Sequence, residues 1–132
     1  MDYVRQQPAP DIDSLASQVI GAAIEVHKTL GPGLLESAYG VCLFHEFSMR
    51  GIAFRKEVDL PIAYKGAQLD CGYRPDLIVA DQIVIELKAV EQVTPIHEAQ
   101  LLTYLRLSGY RVGLLLNFNV AVMREGITRR VV

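Results

Sequence analysis

Glu86 and Lys88 stand two apart inside an otherwise apolar run, Ile83 to Val90. On a β-strand, residues two apart project to one face, so the carboxylate and the ammonium emerge together and Leu87 points the other way. Charges in such a run are costly to bury unless they are paired or hold a metal ion. Asp76 lies on the preceding extended stretch, and register decides whether it joins them. A two-residue turn at Asp81-Gln82 pairs Leu77 with Glu86 and leaves Asp76 on the wrong face. A three-residue loop, Ala80-Asp81-Gln82, pairs Val79 with Ile83 and sets Asp76 opposite Glu86.

Two carboxylates side by side repel each other. A Mg²⁺ or Mn²⁺ ion, bound through oxygen ligands, resolves that repulsion. It also polarises a phosphoryl oxygen and activates a water. Lys88 beside it is suited to orient the water or to stabilise developing negative charge. The plainer reading is a structural Glu86–Lys88 ion pair at a strand end, and spacing alone does not separate the two.

A second constellation is His97, Gln100 and Tyr104, one stripe of a helix at i, i+3 and i+7. It could contact substrate or hold the charged strand; a solvated helix face is the simpler account. His97 by itself reads as a first-turn residue without a special role. Glu36 opens another helix, where a carboxylate suits the helix dipole. Tyr39, one turn on, reads as a core residue with its hydroxyl satisfied.

The elements that must position these residues follow from periodicity and breakers. Asp13 or Ser14 caps a helix carrying Leu15, Val19, Ala22, Val26 and Leu30, ended by Gly31-Pro32. A second helix begins near Leu34, with a stripe of Leu35, Tyr39, Cys42, Leu43 and Phe47, and stops at Gly51. Ala53 to Tyr64 reads as a strand interrupted by Pro61, at an edge or a bend. Lys65-Gly66 is a turn, and Ala67 to Val79 continues extended. After Ile83–Val90, Thr94-Pro95 starts a third helix that runs to about Leu107 and stops at Gly109. Tyr110 to Phe118 is a buried strand, and Val120 to Val132 a closing hairpin turning at Glu125-Gly126. The order is α-α-β-β-β-α-β-β, an α/β (α+β mixed) fold with a central mixed sheet flanked by helices.

The 132 residues suit one domain with one hydrophobic core. Residues 1–13 read as a flexible lead-in and 14–132 as the domain. Met1–Pro10 is polar and does not read as a signal peptide. No apolar run approaches the roughly 20 residues of a membrane span. Cys42 and Cys71 lack metal-ligand spacing and read as buried free thiols, which sets a reducing, cytoplasmic expectation. A net charge of −2 and a pI of 5.9 argue against simple coating of duplex DNA. They are compatible with an acidic cation site inside a locally basic rim. Arg55, Lys56, Arg74 and Arg106 are the basic groups expected near a substrate; Arg129 and Arg130 read as a solvated hairpin end.

Several separated segments, in order, resemble the GxxExxY proteins. They are Val26-His27-Lys28-Thr29-Leu30-Gly31-Pro32-Gly33, running on into Gly33-Leu34-Leu35-Glu36-Ser37-Ala38-Tyr39, then Tyr73-Arg74-Pro75-Asp76 and Ile85-Glu86-Leu87-Lys88-Ala89-Val90-Glu91. Gln100-Leu101-Leu102-Thr103-Tyr104-Leu105-Arg106 and Gly113-Leu114-Leu115-Leu116-Asn117-Phe118-Asn119 complete the set. The match covers nearly the whole chain after about residue 14. That family is placed in the PD-(D/E)XK nuclease superfamily, which implies a restriction-endonuclease-like fold. The resemblance implies Asp76 and Glu86 as metal ligands, the Leu87 carbonyl as a third, and Lys88 as the catalytic lysine. Glu36 matches the acidic residue that the first core helix often supplies. Gln100 and Tyr104 match the Gln-x-x-x-Tyr motif of a subset resembling the exonuclease domains of recombination helicases.

The expectation is a Mg²⁺- or Mn²⁺-dependent nuclease acting on phosphodiester bonds, in DNA first. The alternative is a non-catalytic nuclease-fold module that binds nucleic acid or a partner protein. A third reading gives the metal site another phosphorylated ligand, such as a nucleotide. Exposed strand edges allow a homodimer, and a small acidic nuclease domain fits a protein partner that delivers substrate.

Overall fold

The structure, a computed structural model, describes residues 11–132. Helix α1 spans Ile12–Leu30, capped by Asp11, whose carboxylate accepts the Asp13 amide at 3.1 Å. The cap thus lies ahead of the expected Asp13 or Ser14, and the helix takes Ile12 and Asp13 from the expected lead-in. Residues 1–10 of that lead-in lie outside the described residues. Helix α2 spans Glu36–Arg50 and closes at Gly51, whose φ of 70° is the left-handed conformation glycine adopts without penalty. Leu35, expected in the apolar stripe, is the residue before the helix and is 77% exposed.

The stretch expected as one strand from Ala53 divides. Strand β1 is Phe54–Lys56 and ends where Glu57 takes a φ of 50°. Strands β2 (Ile62–Tyr64) and β3 (Ala67–Leu69) form a separate hairpin around Lys65-Gly66, with β-pairing Tyr64 to Ala67. Strand β4 is only Leu77–Val79, and β5 is Ile83–Lys88. Helix α3 spans Pro95–Ser108, and β6 spans Val112–Asn117. The closing hairpin expected within Val120–Val132 is instead a single 3-10 turn, Met123–Gly126, leading into β7, Ile127–Val131. The partner of β7 is β6, antiparallel, because Leu114 and Leu116 already present the apolar ladder that a terminal strand can complete.

Among the described residues the main sheet has the order β1-β4-β5-β6-β7, mixed because α3 carries the chain across from β5 to a parallel β6. Side-chain alternation divides the core in two. Leu77, Val79, Ile83, Ile85, Leu87, Leu114 and Leu116 face α1 and α2, with Val19, Ala22, Leu43 and Phe47 opposite them. Ile78, Val84 and Leu115 face α3, against Leu101, Tyr104 and Leu105. Both faces of the central strands are covered, which is why they read as unbroken apolar runs. At Gly113 an added Cβ would stand 2.9 Å from Leu101, so glycine there lets α3 settle close on the sheet. No described helix is long and apolar enough to cross a membrane. Cys42 is half-buried and Cys71 is exposed, so the expectation of a buried thiol fails at Cys71, which lies in the irregular stretch after β3.

Candidate active site

The loop between β4 and β5 is the longer one. Val79 pairs with Ile83, and the last ladder pair is Leu77 with Ile85, which sets Asp76 opposite Glu86. The Gln82 amide closes the turn on the Val79 carbonyl at 2.9 Å, with Ala80 and Asp81 at φ 49° and 53°. Arg55 donates to Asp81 at 2.6 Å, tying this turn to β1.

Beyond Leu77 and Ile85 the ladder continues through side chains. The Asp76 amide donates to Glu86 Oε1 at 2.8 Å, and the Leu87 amide donates to Asp76 Oδ2 at 2.8 Å. Glu86 is 4% exposed. Among the described residues no buried side-chain nitrogen or oxygen lacks a hydrogen-bond partner. Burial, and then the charge of Asp76, push the Glu86 carboxyl up to about 8, against the pull of the Asp76 amide and Lys88. Burial also raises Asp76, opposed by the Leu87 amide and Lys88. Two adjacent carboxyls are thus raised together, chiefly because both are buried.

Lys88 shares the Asp76–Glu86 face by alternation, and its field lowers both carboxyls and Glu36. Among the described residues it makes no ion pair with Glu86, so the structural-pair reading of these two side chains is not the arrangement found. Glu36, at the first position of α2, overhangs a cleft of ≈ 350 Å³ that also includes Gly40, Phe44, Lys56, Asp76 and Leu87. Desolvation and the field of Asp76 raise its carboxyl. Tyr39 explains its placement. The Tyr39 hydroxyl donates to the Gly31 carbonyl at 2.5 Å and accepts the Leu34 amide at 3.1 Å, holding the Gly31–Leu34 turn from which α2 starts. Its ring is fully buried and stacks on Phe118, with centroids 4.7 Å apart. Among the described residues no three His, Cys, Asp or Glu side chains stand together as a complete metal-ligand set.

On the α3 side, Gln100 Nε2 donates to the Tyr104 hydroxyl at 3.1 Å. Burial first, and then the charges of Glu86 and Asp76, raise the Tyr104 phenol, so this pair adjoins the carboxylates. Of the expected basic groups, Lys56 lies at the cleft, with Nζ 4.9 Å from the Phe44 ring centroid. Arg55, in the middle of β1, is paired with Asp81, and Arg74 is paired with Asp59. Arg106 is exposed on the last turn of α3. Arg129 and Arg130 are paired with Asp13 and Glu98 rather than solvated alone.

Two residues carry more than the sequence reading assigned. Asn117, 2% exposed, accepts the Val90 amide at 3.0 Å and donates to the Val90 carbonyl at 2.9 Å. It thereby prolongs the β5–β6 ladder and pins the chain just past Lys88. A lone amide in an apolar strand is the signal that could have found it. His97 Nδ1 accepts the Thr94 amide at 3.1 Å and closes the start of α3. The Thr-x-x-His spacing is that of a capping box.

A family model described as the PD-(D/E)XK nuclease superfamily matches residues 13–131. No curated protein and no solved structure matches the chain. The match spans nearly the whole chain, and the chain belongs to the PD-(D/E)XK nuclease superfamily.

Proposed function

We propose that this superfamily member is a divalent-metal-dependent nuclease of the GxxExxY kind that hydrolyses phosphodiester bonds, in DNA first, at the centre formed by Asp76, Glu86 and Lys88. The observation that carries the reading is the register: Asp76 opposite Glu86, clasped through the Asp76 and Leu87 amides, with Lys88 on the same face. The donor set suits a hard cation, being all oxygen, and a bound cation would oppose the burial that raises both carboxyls. Asp76, Glu86 and the Leu87 carbonyl are the proposed ligands, with Glu36 completing the set from α2. The ion, Mg²⁺ or Mn²⁺, supplies charge neutralisation at the phosphate and a more acidic water.

The chain's own groups account for the rest. Each clasping carboxylate spends one oxygen on a backbone amide and keeps the other for a ligand. The Lys88 ammonium holds the attacking water or balances the negative charge that grows on the phosphoryl oxygens. Water oxygen bonds to phosphorus, the P–O ester bond breaks, and the departing oxygen leaves with a proton. Gln100 and Tyr104 position the α3 side of the centre. Asn117, through Val90, keeps the end of β5 fixed.

One observation favours a second reading, a nuclease-fold module working with a partner. Five of the twelve Lys and Arg side chains among the described residues, Arg50, Arg55, Arg74, Arg129 and Arg130, are engaged in ion pairs, which reduces the cations open to a phosphate backbone. A partner that delivers substrate would supply them. A homodimer through strand edges is disfavoured by a three-residue β1 and the paired arginines of β7.

The deciding experiment incubates labelled single-stranded DNA, duplex DNA and RNA with the protein in Mg²⁺, Mn²⁺ or chelator, beside Lys88→Ala. Metal-dependent cutting lost in the variant is the expected result. A folded wild type that cuts nothing moves the assignment to the partner-dependent module.

A further inference from the structure

Next to the carboxylate centre, on the α3 side of the sheet, lies a second cleft of ≈ 390 Å³ lined by Tyr73, Ile96, His97, Ala99, Gln100 and Thr103. We propose that this cleft is a nucleobase subsite, which takes an unstacked base beside the scissile phosphate and makes single-stranded DNA, or a frayed duplex end, the preferred substrate. The inference rests on the nuclease reading above.

The cleft is one side chain away from the centre. Tyr73 meets Tyr104 edge-on, with ring centroids 6.3 Å apart, and Gln100 donates to the same Tyr104 hydroxyl. Tyr104 packs against Ile78 and Val84, which lie two residues from Asp76 and Glu86 on the same face of β4 and β5. A nucleotide with its phosphate at Asp76, Glu86 and Lys88 therefore has this cleft within reach of its base.

The lining fits a base and does not fit a phosphate. It contains no lysine, arginine or carboxylate. The Thr94 amide, which a free helix start would offer to an anion, is taken by His97 Nδ1. That bond leaves the proton of a neutral imidazole on Nε2. What remains is an aromatic ring, a 75% exposed Ile96, an amide that donates and accepts, and an imidazole donor. These are groups that sandwich a flat heterocycle and read its edge. Phosphate chemistry belongs to the other cleft, where Lys56 lies. The volume falls in the range of roughly 300–1,000 Å³ usual for small-ligand sites. A base still stacked in a duplex cannot enter a cleft of this kind, so it must be unpaired or flipped.

The test uses an oligonucleotide carrying 2-aminopurine, single-stranded or in a matched duplex, with Ca²⁺ in place of Mg²⁺ to follow binding, and cleavage in Mg²⁺ run in parallel. Wild type should quench the probe on the single strand and bind it more tightly than the duplex. Tyr73→Leu should lose the quench and bind roughly 10-fold to 100-fold more weakly. Ile96→Asp, at an exposed position that does not threaten the fold, should weaken binding in the same direction. Binding without quenching, equal affinity for the duplex, or unchanged affinity in both variants overturns the subsite. If metal-dependent cleavage persists in those cases, the nuclease reading stands. A wild type that neither binds nor cuts single strands removes both.

Discussion

Asp76 and Glu86 hold each other's strands in place. The amide of Asp76 is bound by the Glu86 carboxylate, and the Asp76 carboxylate binds the amide of Leu87, the residue after Glu86, both at 2.8 Å. The two groups that repel each other most strongly as charges are thus fastened by the backbone of the sheet. Burial displaces both carboxyls upward, toward their neutral forms, which eases that repulsion.

That upward displacement has a measurable signature. Glu86 is pushed up to about 8 from an ordinary 4.5, and Asp76 and Glu36 are displaced in the same direction. Between these limits the folded chain binds more protons than the unfolded one, so stability falls as pH rises. The slope is about 1.4 kcal/mol per pH unit for one full proton. Thermal melts of metal-free protein from pH 5.5 to 8.5 should show Tm dropping across the series. Glu86→Gln should remove most of the slope, and Mg²⁺ should flatten it in wild type. A Tm that climbs with pH in chelator contradicts this account.

Lys88→Ala should lower cleavage by roughly 10²–10³-fold, the cost of removing one well-placed electrostatic group. Lys88 is only half-buried and makes no ion pair with Glu86, so Tm should stay close to wild type. Initial rates on saturating substrate, with melts alongside, separate the two effects.

Tyr39→Phe keeps the stacked ring and removes only the hydroxyl. The Gly31 carbonyl and Leu34 amide then lose their partner. Urea unfolding should show a loss of about 1–3 kcal/mol. Cleavage should also fall, because the same turn starts the helix that presents Glu36. A variant weakened in stability with undiminished cleavage would show that Glu36 does not depend on this turn.

Gly126→Ala and Gly40→Ala should part company. A Cβ at Gly126 would lie 2.0 Å from the Asn117 carbonyl oxygen, where backbone must move. The expected cost is about 3 kcal/mol or more, with damage spreading through Asn117 to Val90. At Gly40, inside α2, the nearest atom is Leu87 Cδ1 at 3.5 Å, an ordinary contact. Alanine there should be neutral, or stabilise by up to about 1 kcal/mol through helix propensity. It would also narrow the cleft that Glu36 and Asp76 share. Paired denaturation curves test the contrast.

Periodicity, caps and breakers by themselves determined the three helices, the central strand Ile83–Lys88 and the general α-then-β order. These signals are local: apolar spacing of 3.6 or 2, Gly31 and Gly51 as stops, Thr94-Pro95 as a start. Glu86 and Lys88 were equally visible as charges in an apolar run, although spacing alone left a structural ion pair open; Asn117 stood in the same kind of run, but its role in fixing Val90 was not assigned. The bounds of the short strands were not visible, because three residues of pairing in β1 or β4 leave no period to count. The fate of the C-terminal segment was not either, since its partner, β6, lies outside the segment.

Only tertiary structure decided what Asp76 faces. Two loop lengths were open, and a shift of one residue moves a side chain to the opposite face of the sheet. Packing of Leu77, Val79, Ile83 and Ile85 on one side, and Ile78 and Val84 on the other, selects the longer loop. The approach of Glu36 and Tyr104 to that pair, and the cleft beside Tyr73, follow from how α2 and α3 settle on the two faces. Such contacts join residues tens of positions apart, and no local pattern encodes their distance.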